Sequence, residues 1–201
     1  INEYTWKPTY AELFDFADNV SYDGYCHTKL DTAIDIKMNG STYMLITFST
    51  SNYANKNEIM DCHACAPTIS VALFRKEADK SFTLEGFKKG FTSFGSYGQR
   101  GQYAVEKIGT DKSALVLISG YTNQGYTVEG KTYYSLTSVP FLTQIFTYET
   151  ETSDSNTGDE ESNTLKTMPN AASEYYDLVI TSKKNGKISP VKRKYSFYTE
   201  G

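Results

Sequence analysis

All three cysteines and both histidines of this 201-residue chain fall in two short stretches, Cys26-His27 and Asp61-Cys62-His63-Ala64-Cys65-Ala66-Pro67. Thiols and imidazoles are soft metal ligands and nucleophile–base partners, so three kinds of chemistry fit the spacing. A disulfide from Cys26 to Cys62 or Cys65 would tie two distant segments together and restrict the unfolded chain. A tetrahedral zinc site would take Cys26, Cys62 and Cys65, with His63 or His27 as the fourth ligand. A redox dithiol would use Cys62 and Cys65 alone. Zinc ribbons carry two C-x-x-C knuckles, and this chain has one. Thioredoxin-like sites open a helix, whereas here Pro67 and a strand pattern follow. Haem attachment needs a histidine after the second cysteine, and His63 lies inside the pair. A structural disulfide without any cofactor is the expectation; zinc binding, or redox or hydrolytic chemistry on the same four residues, is the alternative.

A second group is the Gly-aromatic stretch from Phe91 to Tyr103, with Gly95, Gly98 and Gly101 at every third position. It lacks the strand-then-helix context of a phosphate-binding loop. Tyr97, Arg100 and Tyr103, together with Tyr121 and Tyr126 of the related stretch 120–126, combine ring faces with polar tips. They form a candidate surface for a sugar, a peptide or a flat ligand. The plainer reading is tyrosines packed over hairpin turns.

Other chemistry finds little footing. The acidic run 151–162 fails as an EF-hand loop, since Gly158 and Asp159 occupy places five and six and Leu165 stands where a bidentate Glu belongs. A Ser-His-Asp triad would have to use His27 or His63, and no G-x-S-x-G elbow is present. No catalytic residue is assigned, and a non-enzyme is expected.

The elements that must position these residues are strands. Ile34, Ile36 and Met38 alternate with polar residues, Asn39-Gly40 supplies a type I′ turn, and Tyr43 to Phe48 returns as the partner. Similar runs recur at 68–74, 81–87, 102–108, 114–119, 131–136 and 142–148. A last hairpin joins 177–182 to 191–198 through Asn185-Gly186, and its many lysines suit an exposed edge. One helix is predicted from Tyr10 to Asp18, where Tyr10, Leu13, Phe14 and Ala17 share a face behind a Thr9/Glu12 capping box. About ten short strands imply a mostly β fold: an antiparallel meander closing as a two-sheet sandwich or a propeller-like array. One β-domain over 1–201 is expected, interrupted by a flexible acidic loop at 150–173 that has few apolar anchors.

Composition sets outer bounds. Twenty basic against 24 acidic side chains give a net charge of −4, which argues against nucleic acid as a partner. No apolar run is long enough for a membrane-spanning helix. The first residue, Ile1, is compatible with removal of a leader, which keeps export open. The Cys62-His63-Ala64-Cys65-Ala66-Pro67 segment running into a strand, the Gly-rich stretch after it, and the late Tyr175-Tyr176-Asp177-Leu178 hairpin resemble small exported or lipoprotein-type β-proteins of Gram-negative bacteria. That resemblance implies a periplasmic or outer-membrane location, with any lipid anchor on a cysteine ahead of Ile1. It transfers no catalytic residue. The expectation is a secreted, non-catalytic binding protein for an unidentified ligand or protein partner.

Overall fold

The computed structural model describes residues 4–6, 25–55 and 57–196. Among them the fold is mostly β, every ladder is antiparallel, and there is no helix. The helix predicted at Tyr10 to Asp18 lies outside the described residues. Two compact units divide the chain, 1–101 and 102–201.

In the first unit, β1 (Tyr4–Trp6), β2 (Tyr25–Met38), β3 (Ser41–Asn55), β5 (Thr68–Lys76) and β6 (Phe82–Ser93) form one sheet in that order, with β4 (Glu58–Ile59) on β3. The predicted Asn39-Gly40 turn closes the β2–β3 hairpin with φ of 49° and 69°, the two positive values that a type I′ turn requires. Strand alternation gives the sheet a buried face carrying Ile36, Met38, Leu45, Ile69, Val71 and Leu73. The other face stays partly open. One extra residue in β6, Glu85, shifts the register between Leu84 and Gly86. Phe87 thereby joins Phe82 and Leu84 on that open side, where the three are 50–56% exposed. A small hairpin of β7 (Gly95–Ser96) and β8 (Gln99–Arg100) completes the unit.

The second unit is a meander in which each strand pairs with the next: β9 (Gln102–Lys107), β10 (Ser113–Asn123), β11 (Tyr126–Ser135), β12 (Gln144–Asp154), β13 (Asp159–Met168), β14 (Asp177–Lys184) and β15 (Lys187–Ser196). The predicted Asn185-Gly186 turn joins the last two, with φ of 47° and 79°. Four steps along the ladder separate β10 from β14, which on a flat sheet would be about 19 Å. Yet Leu178 of β14 shares one core with Ile108, Ala114, Val116 and Tyr133. The sheet therefore folds back on itself. Its flanks meet where Gly109 bridges Tyr175: Tyr176 N–H donates to Ile108 O at 2.8 Å and Thr110 N–H to Glu174 O at 3.3 Å.

One expectation is corrected here. Most of the stretch read as an acidic loop, 150–173, is the β12–β13 hairpin. Backbone and turn bonding order it where apolar burial is scarce. Asp154 caps its own turn by accepting from Asn156 N–H at 2.8 Å, and Asn185 clamps the hairpin from the side through Glu160 N–H and Asp159 Oδ1. Along β13 only alternate residues, Glu161, Asn163, Leu165 and Thr167, turn away from solvent.

A Cβ on Gly109 would collide with the Glu174 carbonyl oxygen, which is backbone and cannot swing aside. Gly109→Ala should therefore open the bridge and lower stability by about 1–3 kcal/mol, read as a fall in the urea midpoint. Gly40→Val is not a fair control, because φ is positive there. Thr147→Val, at an exposed position of β12, is, and it should move the midpoint little.

Candidate functional site

The cysteine segment folds differently from the bridge expected of it. Cys62 and Cys65 are joined to each other, with Cα atoms 4.9 Å apart, and Cys26 is a free, buried thiol. Cys26 stands on β2 beside Asn52 of β3 and donates its S–H to Asn52 Oδ1 at 3.3 Å, so strand pairing holds it away from a bridge. Burial pushes that thiol's pKa up. A bridge that closes only a four-residue loop restricts the unfolded chain by about 2 kcal/mol. It also shapes a turn, with Cys65 N–H donating to Cys62 O at 2.9 Å.

That turn is clasped to the β7–β8 hairpin. Tyr97 N–H donates to Cys62 O at 3.0 Å, Gly98 N–H to Cys65 O at 2.6 Å, and the His63 ring meets Tyr97 edge-on at 5.5 Å. The glycine spacing has a packing cause. A Cβ on Gly98 would lie 2.5 Å from Ile59 Cδ1, and one on Gly101 would enter the Phe94 ring. Tyr97 projects from the hairpin into solvent.

Arg100, proposed as a ligand contact, is turned to another task. Its Nε lies 3.2 Å from Asp31 Oδ1, and the Asp31 side chain is only 2% exposed. Asp31 is the extra residue of a bulge in β2, between Leu30 paired with Phe48 and Thr32 paired with Thr47. The bulge sends the carboxylate into the buried face, where Ser49 Oγ also donates to Oδ1 at 2.8 Å. Among the described residues, Oδ2 has no hydrogen-bond partner.

The remaining predicted residues lie in the second unit. Tyr103 stands on β9 opposite Leu117 and is half-buried. Tyr121 and Tyr126 are exposed, and they share a face of the β10–β11 hairpin, because Tyr121 opposes Val128 and Tyr126 opposes Asn123. Tyr126 also borders a concavity of about 290 Å³ rimmed by Asp154, Asp159, Glu160 and Lys184. Among the described residues, no group of three or more His, Cys, Asp or Glu side chains is placed to hold a metal ion.

Sequence reasoning missed a larger concavity of about 360 Å³ between β12 and β13, lined by Phe146, Tyr148, Glu149, Glu161, Asn163 and Ile180. The two rings stack with centroids 5.8 Å apart, and Tyr133 packs against both. Beneath them Glu106 accepts from Tyr133 OH and from Lys131 Nζ, each at 2.8 Å. Burial first, then the Glu106 carboxylate, drives the Tyr133 pKa far up, and burial raises that of Tyr148. Both phenols are thus neutral hydrogen-bonding groups. Asn163 accepts from Ser182 Oγ through Oδ1, which leaves its NH₂ as a donor. The arrangement offers flat apolar faces, two carboxylates and an amide, the elements of a binding cleft. The signal was present as period-two pairs, Phe146/Tyr148 and Glu161/Asn163, but the two pairs belong to different strands whose separation is not local information.

No protein-family model, curated protein or solved structure matches the chain.

Two measurements follow. Alkylation without reductant should label no cysteine in the folded protein, one after denaturation and three after denaturation with reduction, each counted by intact mass. Arg100→Ala should cost about 2–3 kcal/mol in urea unfolding, less than for a fully buried pair because Arg100 is 34% exposed. Adding Asp31→Asn to that variant should recover part of the loss, since no charge is then left buried.

Proposed function

We propose that this chain is a non-catalytic binding protein acting outside the cytoplasm, and that it takes its ligand in the cleft between β12 and β13. The observation that carries the reading is the cleft's lining: stacked Phe146 and Tyr148 beside Glu149, Glu161 and the Asn163 amide. Ring faces and a few convergent polar groups are what ligand pockets present. The ionisable groups beneath it, Glu106, Lys131 and Tyr133, are bonded to one another. That makes them a rigid floor and a poor source of mobile protons. The exposed Tyr121 and Tyr126 on the neighbouring hairpin add a second contact surface to this reading. Export is supported by the Cys62–Cys65 disulfide, because such bonds persist in oxidising compartments.

A thiol-dependent redox role is the second reading, favoured by one feature: Cys62 of the bridged pair is exposed, with His63 next to it. Zinc binding would require the same pair in its reduced form, since a disulfide offers no thiolate.

The test is amide chemical-shift mapping with a panel of monosaccharides, amino-acid amides and short blocked peptides. Shifts should concentrate at Thr147, Glu149, Glu161 and Asn163, and Asn163→Ala should weaken the response about tenfold, a loss of about 1.4 kcal/mol. Shifts confined to Tyr97, or to the Tyr121/Tyr126 hairpin, would remove the cleft from the proposal. Catalysed disulfide exchange lost in Cys62→Ser with the thermal midpoint kept would favour the redox role.

A further inference from the structure

We infer that the Cys62–Cys65 bond is a redox latch on the β7–β8 hairpin: oxidised, it holds Tyr97 out in one pose, and reduced by an outside dithiol it lets the hairpin tip go while the base stays. The inference takes from the redox reading of the pair only that the bond can be reduced in the folded protein. The hairpin is too small to hold itself. Two residue pairs make its ladder, Gly95–Arg100 and Ser96–Gln99, and a ribbon of that length is not stable alone in water. Its loop, Tyr97-Gly98, has φ of 50° and 68°, the same left-handed pair that Asn39-Gly40 and Asn185-Gly186 adopt. Those two turns use asparagine, which accepts a positive φ, and they close long ladders. Here a tyrosine takes the costly place at the tip of a short one.

What the hairpin lacks in itself it takes from the disulfide turn. The Tyr97 and Gly98 N–H groups donate to Cys62 O and Cys65 O, so both acceptors are carbonyls of the bridged residues. The bond sets their direction, because it closes a short loop in which Cys65 N–H also donates to Cys62 O. The His63 ring, on the same loop, meets Tyr97 edge-on. One further bond at the tip, from Ser51 Oγ to Gly98 O, is long at 3.4 Å. The base has other supports. Arg100 pairs with buried Asp31, Gly101 N–H donates to Phe94 O at 3.3 Å and Phe94 N–H to Pro67 O at 3.0 Å, and none of these uses a cysteine carbonyl. Tip and base are thus held separately, and it is the tip that leans on the bond.

The bond is also within reach. Cys62 is exposed and Cys65 half-buried, so an incoming thiolate meets Cys62 Sγ. The co-reactant is a dithiol. One of its sulfurs, as thiolate, bonds to Cys62 Sγ while the Cys62–Cys65 bond breaks and Cys65 leaves as a thiolate. Its second sulfur then displaces Cys62 and closes the reductant's own disulfide, and the two protons that the dithiol gives up end on Cys62 and Cys65. Two electrons pass to the protein and no atom is lost. Once reduced, the loop regains conformational freedom and its two carbonyls no longer point as a pair. Tyr97 relaxes from its positive φ, and its ring leaves the pose in which the hairpin displayed it.

The test is amide hydrogen exchange on the full chain before and after dithiothreitol, with reduction read as a mass gain of two hydrogens. The Tyr97 and Gly98 amides should exchange about tenfold faster in the reduced protein, while those of Phe94 and Gly101 keep their rates. Tyr97→Asn, which sets an Asn-Gly pair at the tip, should keep the tip amides slow after reduction. Unchanged exchange at the tip in protein that has gained both hydrogens would overturn the latch and leave the redox reading of the pair standing. Equal loss of protection at the tip, Phe94 and Gly101 would also overturn it, since the bond would then brace the whole segment. If dithiothreitol leaves the bond intact in the folded protein, the redox reading and the latch fail together.

Discussion

A ladder of backbone hydrogen bonds has no slack: one residue too many in a strand must leave the plane, and every side chain beyond it is re-aimed. Among the residues inserted in this way in the described strands, three carry consequences for the sheets around them. Asp31 in β2 is pushed into the buried face and becomes the anchor for Arg100 and, through it, for the small β7–β8 hairpin. Glu85 in β6 moves Phe87 to the side already held by Phe82 and Leu84. Thr150 in β12 marks where two strands part and a cleft begins. Remove the insertions and the sheets would be flatter, drier and closed.

Each of the two large sheets also holds a charged side chain that ties strands together, Asp31 buried and Glu106 partly so. Asp31 is held by a strand neighbour, Ser49, and by Arg100 about seventy residues away. Glu106 collects a phenol and an ammonium from β11. Groups of this kind add modestly to stability, since removing charge from water consumes most of what pairing returns. Their stronger effect is on register, because a slipped strand would strand a charge without its partner.

Much of the local structure was legible in the residues. Asn39-Gly40 and Asn185-Gly186 announce their turns, since few other pairs tolerate two positive φ values, and period-two patterning locates most long strands. What escaped was non-local. The spacing of Cys26, Cys62 and Cys65 allows several pairings, and only the place of Cys26 within the β2–β3 ladder decides among them. Arg100 looked like a ligand contact because its carboxylate partner sits on a bulge that no pattern foretells. The Gly95, Gly98 and Gly101 rhythm suggested a recognition loop, yet its causes are backbone conformation and close packing against Ile59 and Phe94. The acidic hairpin has no apolar anchors to announce it, because its order comes from Asp154, Thr157 and Asn185 bonding to backbone.

The side chains of Phe82, Leu84 and Phe87 give β6 an oily flank on an outer strand, the combination that ordinarily seeds fibrils. A fibril, however, grows by copying an uninterrupted hydrogen-bond template. Here the template is broken at Glu85 and again between Lys88 and Thr92, and Lys89 stands in the gap. In colloidal terms the strand is sticky but not crystalline: crowded copies of the protein would adhere through greasy contact and separate again on dilution, without finding the repeating register that makes aggregation permanent.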